Sequence, residues 1–167
     1  MKNTRLTKTK LLCIVVLWCI SSFTTHAQLD YKMAGPFKVV ARDGEFRASK
    51  GGSERDMKAA FDLANIYSNK KASSTADREK AKAKALDIIN AYSSNLERLD
   101  GHDAPLCAIQ CFDMVRAMTI LRDFKTPQWD AMVRNAMLPT IDKFEADSPY
   151  ANGNWGAIVN RLRMAIG

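Results

Sequence analysis

Histidine and cysteine are scarce, two and four residues among 167, and neither is arranged for metal or disulfide chemistry. Cys13 and Cys19 fall in an N-terminal leader, so a mature chain keeps only Cys107 and Cys111. These lie four apart on one helical face with parallel Cβ directions, a spacing that favours two buried thiols over an unstrained disulfide. His102, Asp103, Cys107 and Cys111 together follow no common zinc spacing. Neither a metal site nor a catalytic cofactor is therefore expected. Beyond the leader no stretch of about 18 apolar residues occurs, which argues against stable membrane insertion. A convincing strand pair is also missing, as is any fixed repeat of the TPR or ankyrin kind.

The leader itself is well marked. Lys2, Arg5, Lys8 and Lys10 precede an apolar run from Leu11 to Ile20, and Thr25-His26-Ala27 offers small residues for cleavage between Ala27 and Gln28. Residues 1–27 thus read as a secretory signal peptide and place the mature protein in the periplasm or outside the cell. Lipidation at Cys19 is disfavoured because Trp18, just before it, is too bulky. Taking the four leader cations from the 25 basic residues leaves 21 against 18 acidic ones, a formal charge of +3 rather than +7. That dispersed excess argues against nucleic acid as a partner and is compatible with a weak pull on acidic polysaccharide. With 47% hydrophobic and 26% charged residues, the remainder is long enough for one globular unit with a sizeable core.

Residues 28–52 read as a mixed arm. Phe37-Lys38-Val39-Val40 suggests a short extended piece, while Arg42-Asp43-Gly44-Glu45 and Lys50-Gly51-Gly52 suggest turns. From residue 53 to 167 the apolar spacing is helical. Ser53 caps a helix over Glu54–Asn69 with Met57, Ala60, Phe61, Ala64 and Tyr67 on one stripe, and Ser74 or Thr75 opens a second that runs to about Leu99. Asp103 with Pro105 starts a third helix, Leu106 to about Asp123, whose apolar positions spread over more than one face and mark it as an inner element. Thr126-Pro127 starts a fourth, in which Pro139 predicts a kink or a local break. A fifth begins near Asn154, with Trp155, Ile158, Val159, Leu162 and Ile166 as its stripe. The fold class is all-α, built of antiparallel helical hairpins.

The turn Ser148-Pro149-Tyr150-Ala151-Asn152-Gly153-Asn154-Trp155-Gly156 gathers amides and aromatics where a helix begins. Together with Asp100-Gly101-His102-Asp103-Ala104-Pro105-Leu106 and Lys143-Phe144-Glu145-Ala146-Asp147-Ser148-Pro149, it resembles the alginate lyase superfamily, polysaccharide lyases with an α/α toroid catalytic domain. The resemblance implies that residues 53–167 are the N-terminal part of an incomplete toroid. It also implies β-elimination: removal of the C5 proton of a uronic acid unit, loss of the O4-linked sugar, and a new double bond. That proton becomes acidic only when the neighbouring carboxylate loses its negative charge, so an amide donor at a helix N-terminus suits the task. Asn154 is the residue expected to neutralise the carboxylate, and the resemblance points the same way. His102, Tyr150, Asn152 and Trp155 are the expected substrate contacts.

One departure from the family pattern bears on activity. Some members carry histidine directly after the asparagine, where this chain has Trp155, which cannot accept a proton. No motif matches the tyrosine and arginine that the second half of such a toroid supplies, so this polypeptide alone is expected to be inactive. Alternatives stand beside each assignment. Asn152, Gly153 and Asn154 also suit a plain turn and cap, Trp155 also suits the core, and His102 also suits a polar loop. A non-catalytic carbohydrate-binding or envelope scaffold protein is the alternative function. A helical-repeat module binding a protein partner is a third.

Overall fold

Short polar side chains set where two of the helices begin. Ser74 Oγ accepts from the Asp77 N–H at 3.1 Å and donates to Asp77 Oδ2 at 2.7 Å, a reciprocal cap for the helix Thr75–Ser93. Thr126 Oγ1 accepts from the Trp129 N–H at 3.2 Å, and Pro127 occupies the first turn that follows, where its missing N–H costs nothing. Both caps are legible in the sequence. A computed structural model describes residues 28–36, 44–96 and 104–167, without the side chains of 44–52 and 104–110. The proposed signal peptide, the extended piece over 37–40, His102 and the Cys107 side chain lie outside the described residues.

The described helices are α1 (Gly44–Ser68), α2 (Thr75–Ser93), α3 (Ala104–Ile120), a 3-10 turn (Arg122–Phe124), α4 (Pro127–Met132), a π turn (Val133–Met137), α5 (Leu138–Asp147) and α6 (Asn154–Ile166). No strand occurs among the described residues, so the all-α class holds there. Lys32–Gly167 make one compact unit, separate from the unit Met1–Tyr31. In the latter only residues 28–31 are described: Gln28 and Leu29 are helical, and the Tyr31 N–H donates to the Gln28 carbonyl.

Within the larger unit, α1 and α2 are joined by six residues and pack on each other as a hairpin, while α3 lies against α1 on one side and α6 on another. Met57, Ala60, Leu63 and Ala64 of α1, Ile88 and Ile89 of α2, and Met114, Val115 and Met118 of α3 fill the core. The multi-faced apolar pattern of α3 matches its packing against α1, α2, α5 and α6. Its described inward side chains, Cys111 among them, are fully buried. Arginines close the outer seam: the Arg116 guanidinium lies 3.8 Å from the Phe61 ring centroid, and that of Arg161 in α6 lies 3.8 Å from the centroid of Phe112.

Three local expectations need correction. Lys50-Gly51-Gly52 and Gly44-Glu45 are not turns; they lie inside α1, and Ser53 is a fully buried helical residue rather than its cap. Extending an established helix is cheaper than nucleating one, and a glycine's penalty of roughly 1 kcal/mol relative to alanine does not stop it. Helix α2 ends at Ser93, not near Leu99. There the side chains of Ser93, Ser94 and Asn95 bond the carbonyls of Ile89, Asn90 and Ala91 and compete with the ladder. The kink attributed to Pro139 takes the form of the π turn just before it. Proline cannot donate to the carbonyl four residues back, and the widened step lets the Leu138 N–H reach Val133 O while Thr140 Oγ1 bonds Ala136 O at 2.7 Å.

Helix α6 is tied to α5 at the surface by Arg163, whose guanidinium bonds both Asp142 and Glu145. The hydrogen bond that it donates to Asp142, with Glu145 assisting against a little desolvation, raises its pKa above the ordinary arginine value. Replacing Arg163 by Ala is expected to cost no more than about 1 kcal/mol, because the site is exposed. The loss should shrink in about 1 M salt, where the screening length falls to roughly 3 Å. Urea melts at two ionic strengths measure it, and a salt-independent loss would contradict an ionic origin.

Candidate functional site

Backbone hydrogen bonds build the turn that carries the expected contact residues. At the end of α5 the Ser148 N–H donates to Phe144 O at 3.0 Å. The chain then folds back as the Ala151 N–H reaches Ser148 O, the Tyr150 N–H reaches Ser148 Oγ, and the Gly153 N–H reaches Tyr150 O. Helix α6 starts at Asn154 with Gly153 as a cap that offers no side-chain acceptor. Asn154 is therefore the first residue of α6, at the end where the helix dipole is positive.

All four described contact candidates face solvent. Asn152 and Asn154 are exposed, Tyr150 is 55% exposed and Trp155 39% exposed. The burial pattern of α6 explains this: Gly156, Val159 and Leu162 make its inward face, so the expected stripe is rotated and Trp155 lies off it. Of the two readings of Trp155, the core one is thereby set aside. Gly156 is the pivot of the arrangement. A Cβ there would lie 1.7 Å from the Ala151 carbonyl oxygen, so the turn presses directly on the helix backbone.

No residue of the turn lines either of the described clefts. Two clefts, of about 380 and 290 Å³, instead lie at the far end of α6 and meet at Lys125, Trp129 and Ile166. Thirteen residues separate the ends of the helix, about 20 Å at 1.5 Å per residue. Asn154 and the clefts therefore do not share one enclosed site. Among the described residues no three of His, Cys, Asp and Glu come together in a way that could hold a metal ion, and no helix is long and apolar enough to cross a membrane.

Asp56 belongs to none of the motifs that stand out in the sequence. It is fully buried on α1, where its Oδ1 accepts from the Ala34 N–H at 2.9 Å and its Oδ2 from the Gly35 N–H at 2.9 Å and the Tyr92 hydroxyl at 2.8 Å. The group is a clamp, tying the segment 32–36 to α1 and α2. A signal was present, since Asp56 falls four residues before Ala60 on the apolar stripe, and a carboxyl on a buried face must find donors. Compared with known protein families, curated proteins and solved structures, the chain matches none.

Proposed function

We propose that the protein binds an acidic polysaccharide of the alginate type through the turn Tyr150–Trp155. In this reading the chain is the N-terminal part of an exported lyase with an α/α toroid, and Asn154 is its carboxylate-neutralising amide. The observation that carries the reading is the joint exposure of Tyr150, Asn152, Asn154 and Trp155 at the start of α6. An exposed indole and phenol present apolar faces to a sugar ring. The amide and the helix N-terminus supply uncharged donors to its carboxylate, and withdrawing charge from that group is what acidifies the neighbouring C–H bond. In the elimination a base takes the C5 proton, the C–H electron pair becomes the new C4–C5 double bond, and the O4-linked sugar leaves with a proton.

A second reading, binding without catalysis, is favoured by one specific feature. Trp155 cannot act as the base, and Tyr150 is the one side chain of the turn able to exchange a proton. In this reading the same surface holds the uronan and the elimination does not occur on this polypeptide.

Calorimetric titration with short oligomannuronate and oligoguluronate tests the surface. Binding is expected, and both Asn154→Ala and Trp155→Ala should weaken it by about tenfold, the equivalent of losing roughly 1.4 kcal/mol of contact. Unchanged affinity in both variants, or no binding by the parent protein, would remove the proposal. Incubation with alginate separates the two readings, since only elimination produces absorbance from an unsaturated uronate.

A further inference from the structure

Helix α6 carries two arginines, and the fold uses them differently. Arg163 is neutralised by Asp142 and Glu145 of α5. Arg161 instead reaches toward α3, where its guanidinium carbon lies 3.8 Å from the centroid of Phe112, close enough for the cation to lie flat on the ring. Arg116 lies 5.6 Å from the same centroid, but its Nη1 donates to Asp113 at 3.2 Å. Among the described residues no carboxylate or carbonyl accepts from the Arg161 guanidinium. Its N–H bonds lie in the plane of the group, so a guanidinium stacked on a ring keeps its donor edges open to solvent. Arg161 is thus an oriented cation with an unused donor fork. It also shares a face with Asn154: the seven residues between the two positions bring the helix within about 20° of two full turns and about 10 Å along its axis. Ala157, exposed and short, lies between them and leaves the path clear.

We infer that Arg161 is a second carboxylate subsite of the uronan surface, holding a uronate unit further along the same chain than the one at Asn154. The inference rests on the polysaccharide reading and extends it from one sugar to an oligomer. A separation of about 10 Å exceeds the length of one pyranose ring, so a single uronate meets one of the two side chains and an oligomer meets both. The two groups suit different tasks. Asn154 offers an uncharged amide at the start of the helix, whereas a guanidinium fork grips a carboxylate through two parallel N–H bonds and fixes its orientation. Stacking on Phe112 already restrains the long Arg161 side chain, so less rotamer freedom is lost when the carboxylate arrives. A polymer with a carboxylate on every ring supplies acceptors at both ends of this path, with hydroxyl groups that remain in water over the exposed Ala157.

Calorimetric titration of the full chain with a tetrameric oligouronate tests the subsite. Arg161→Gln should weaken binding by about tenfold, the equivalent of roughly 1.4 kcal/mol, with an unaltered thermal melt because the side chain is exposed. Arg161→Lys keeps the charge and loses the fork, so its affinity should fall between the two. Should Arg161→Gln disturb the seam with Phe112 and lower the melt, the lysine variant carries the test. Salt gives a readout that a merely structural role would not move. Binding by the parent should weaken as the screening length shortens, and this dependence should fall in Arg161→Gln while persisting in Asn154→Ala. Affinity lost in Asn154→Ala but unchanged in both Arg161 variants would overturn the second subsite and leave the turn in place. No binding of the oligomer by the parent would overturn both. Equal affinity for an oligoglutamate of the same charge would also overturn the subsite, by reducing it to unselective attraction of anions.

Discussion

Replacing Asp56 by Ala is expected to lower the unfolding free energy by about 4 kcal/mol, within the range for deleting one partner of a buried charged or strongly hydrogen-bonded group. The side chain is completely buried, and its donors include the neighbouring Ala34 and Gly35 amides and, from a distant helix, the Tyr92 hydroxyl. Alanine leaves the buried Tyr92 hydroxyl and the two part-buried amides without this acceptor. Tyr92→Phe removes one donor and keeps the two amides in place, so about 1–2 kcal/mol is expected there. Asp56→Asn keeps the shape but turns one acceptor into a donor that faces other donors, and should fall between them. Urea denaturation gives the three values, and a double-mutant cycle of Asp56→Ala with Tyr92→Phe gives their coupling. Amide hydrogen exchange supplies an independent signature. Ala34 and Gly35 should exchange much faster in Asp56→Ala, even where α1 and α2 keep their protection. If the Asp56→Ala midpoint matched that of the parent, the clamp would have no energetic role.

Gly156→Ala is the second substitution expected to have a large effect, although it adds a single methyl group. The new carbon would lie 1.7 Å from the Ala151 carbonyl oxygen and 2.6 Å from its carbon. Both are backbone atoms, so no side-chain rotation relieves the contact. Either the Ser148–Gly153 turn moves away or α6 shifts outward and loosens Val159 and Leu162, which are fully buried. Overpacking of this kind costs about 3 kcal/mol, and calorimetric melting should show it. Gly153→Ala is the control. Its Cβ would meet the Tyr150 carbonyl at 3.5 Å, an ordinary contact, and its φ of −103° suits any residue, so a change within about 0.5 kcal/mol is expected. Because the Gly156 contact positions Trp155 and Asn154, Gly156→Ala should also weaken uronan binding, whereas Gly153→Ala should leave it near the parent value. Equal stability of the two variants would mean that the turn is not pressed against the helix.

Some of this was legible in the chain and some was not, for identifiable reasons. Capping is local chemistry, so Ser74 and Thr126 announced their helices within three residues. The inner character of α3 was also readable, because an element covered on several sides must be apolar on several sides. Helix ends were harder. Gly51 and Gly52 read as a turn, yet a helix anchored by Met57, Ala60 and Leu63 continues through them, and that anchoring is a tertiary fact. The facing of α6 went astray for the same reason. Trp155 and Val159 fit one helical stripe equally well on paper, and the close approach of Ala151 to Gly156 rotates the helix so that Val159 goes in and Trp155 stays half out.

The sequence alone determined the all-α class, the order of the helices, and the position of the amide-rich turn at the start of the last one, because periodicity and capping act over a few residues. Tertiary structure alone decided three further matters: that the carboxyl of Asp56 gathers donors from residues 34, 35 and 92, that the four described residues of the turn face solvent, and that the Arg161 guanidinium of α6 lies over the Phe112 ring of α3. Each depends on which helix lies against which, and no local pattern carries that information.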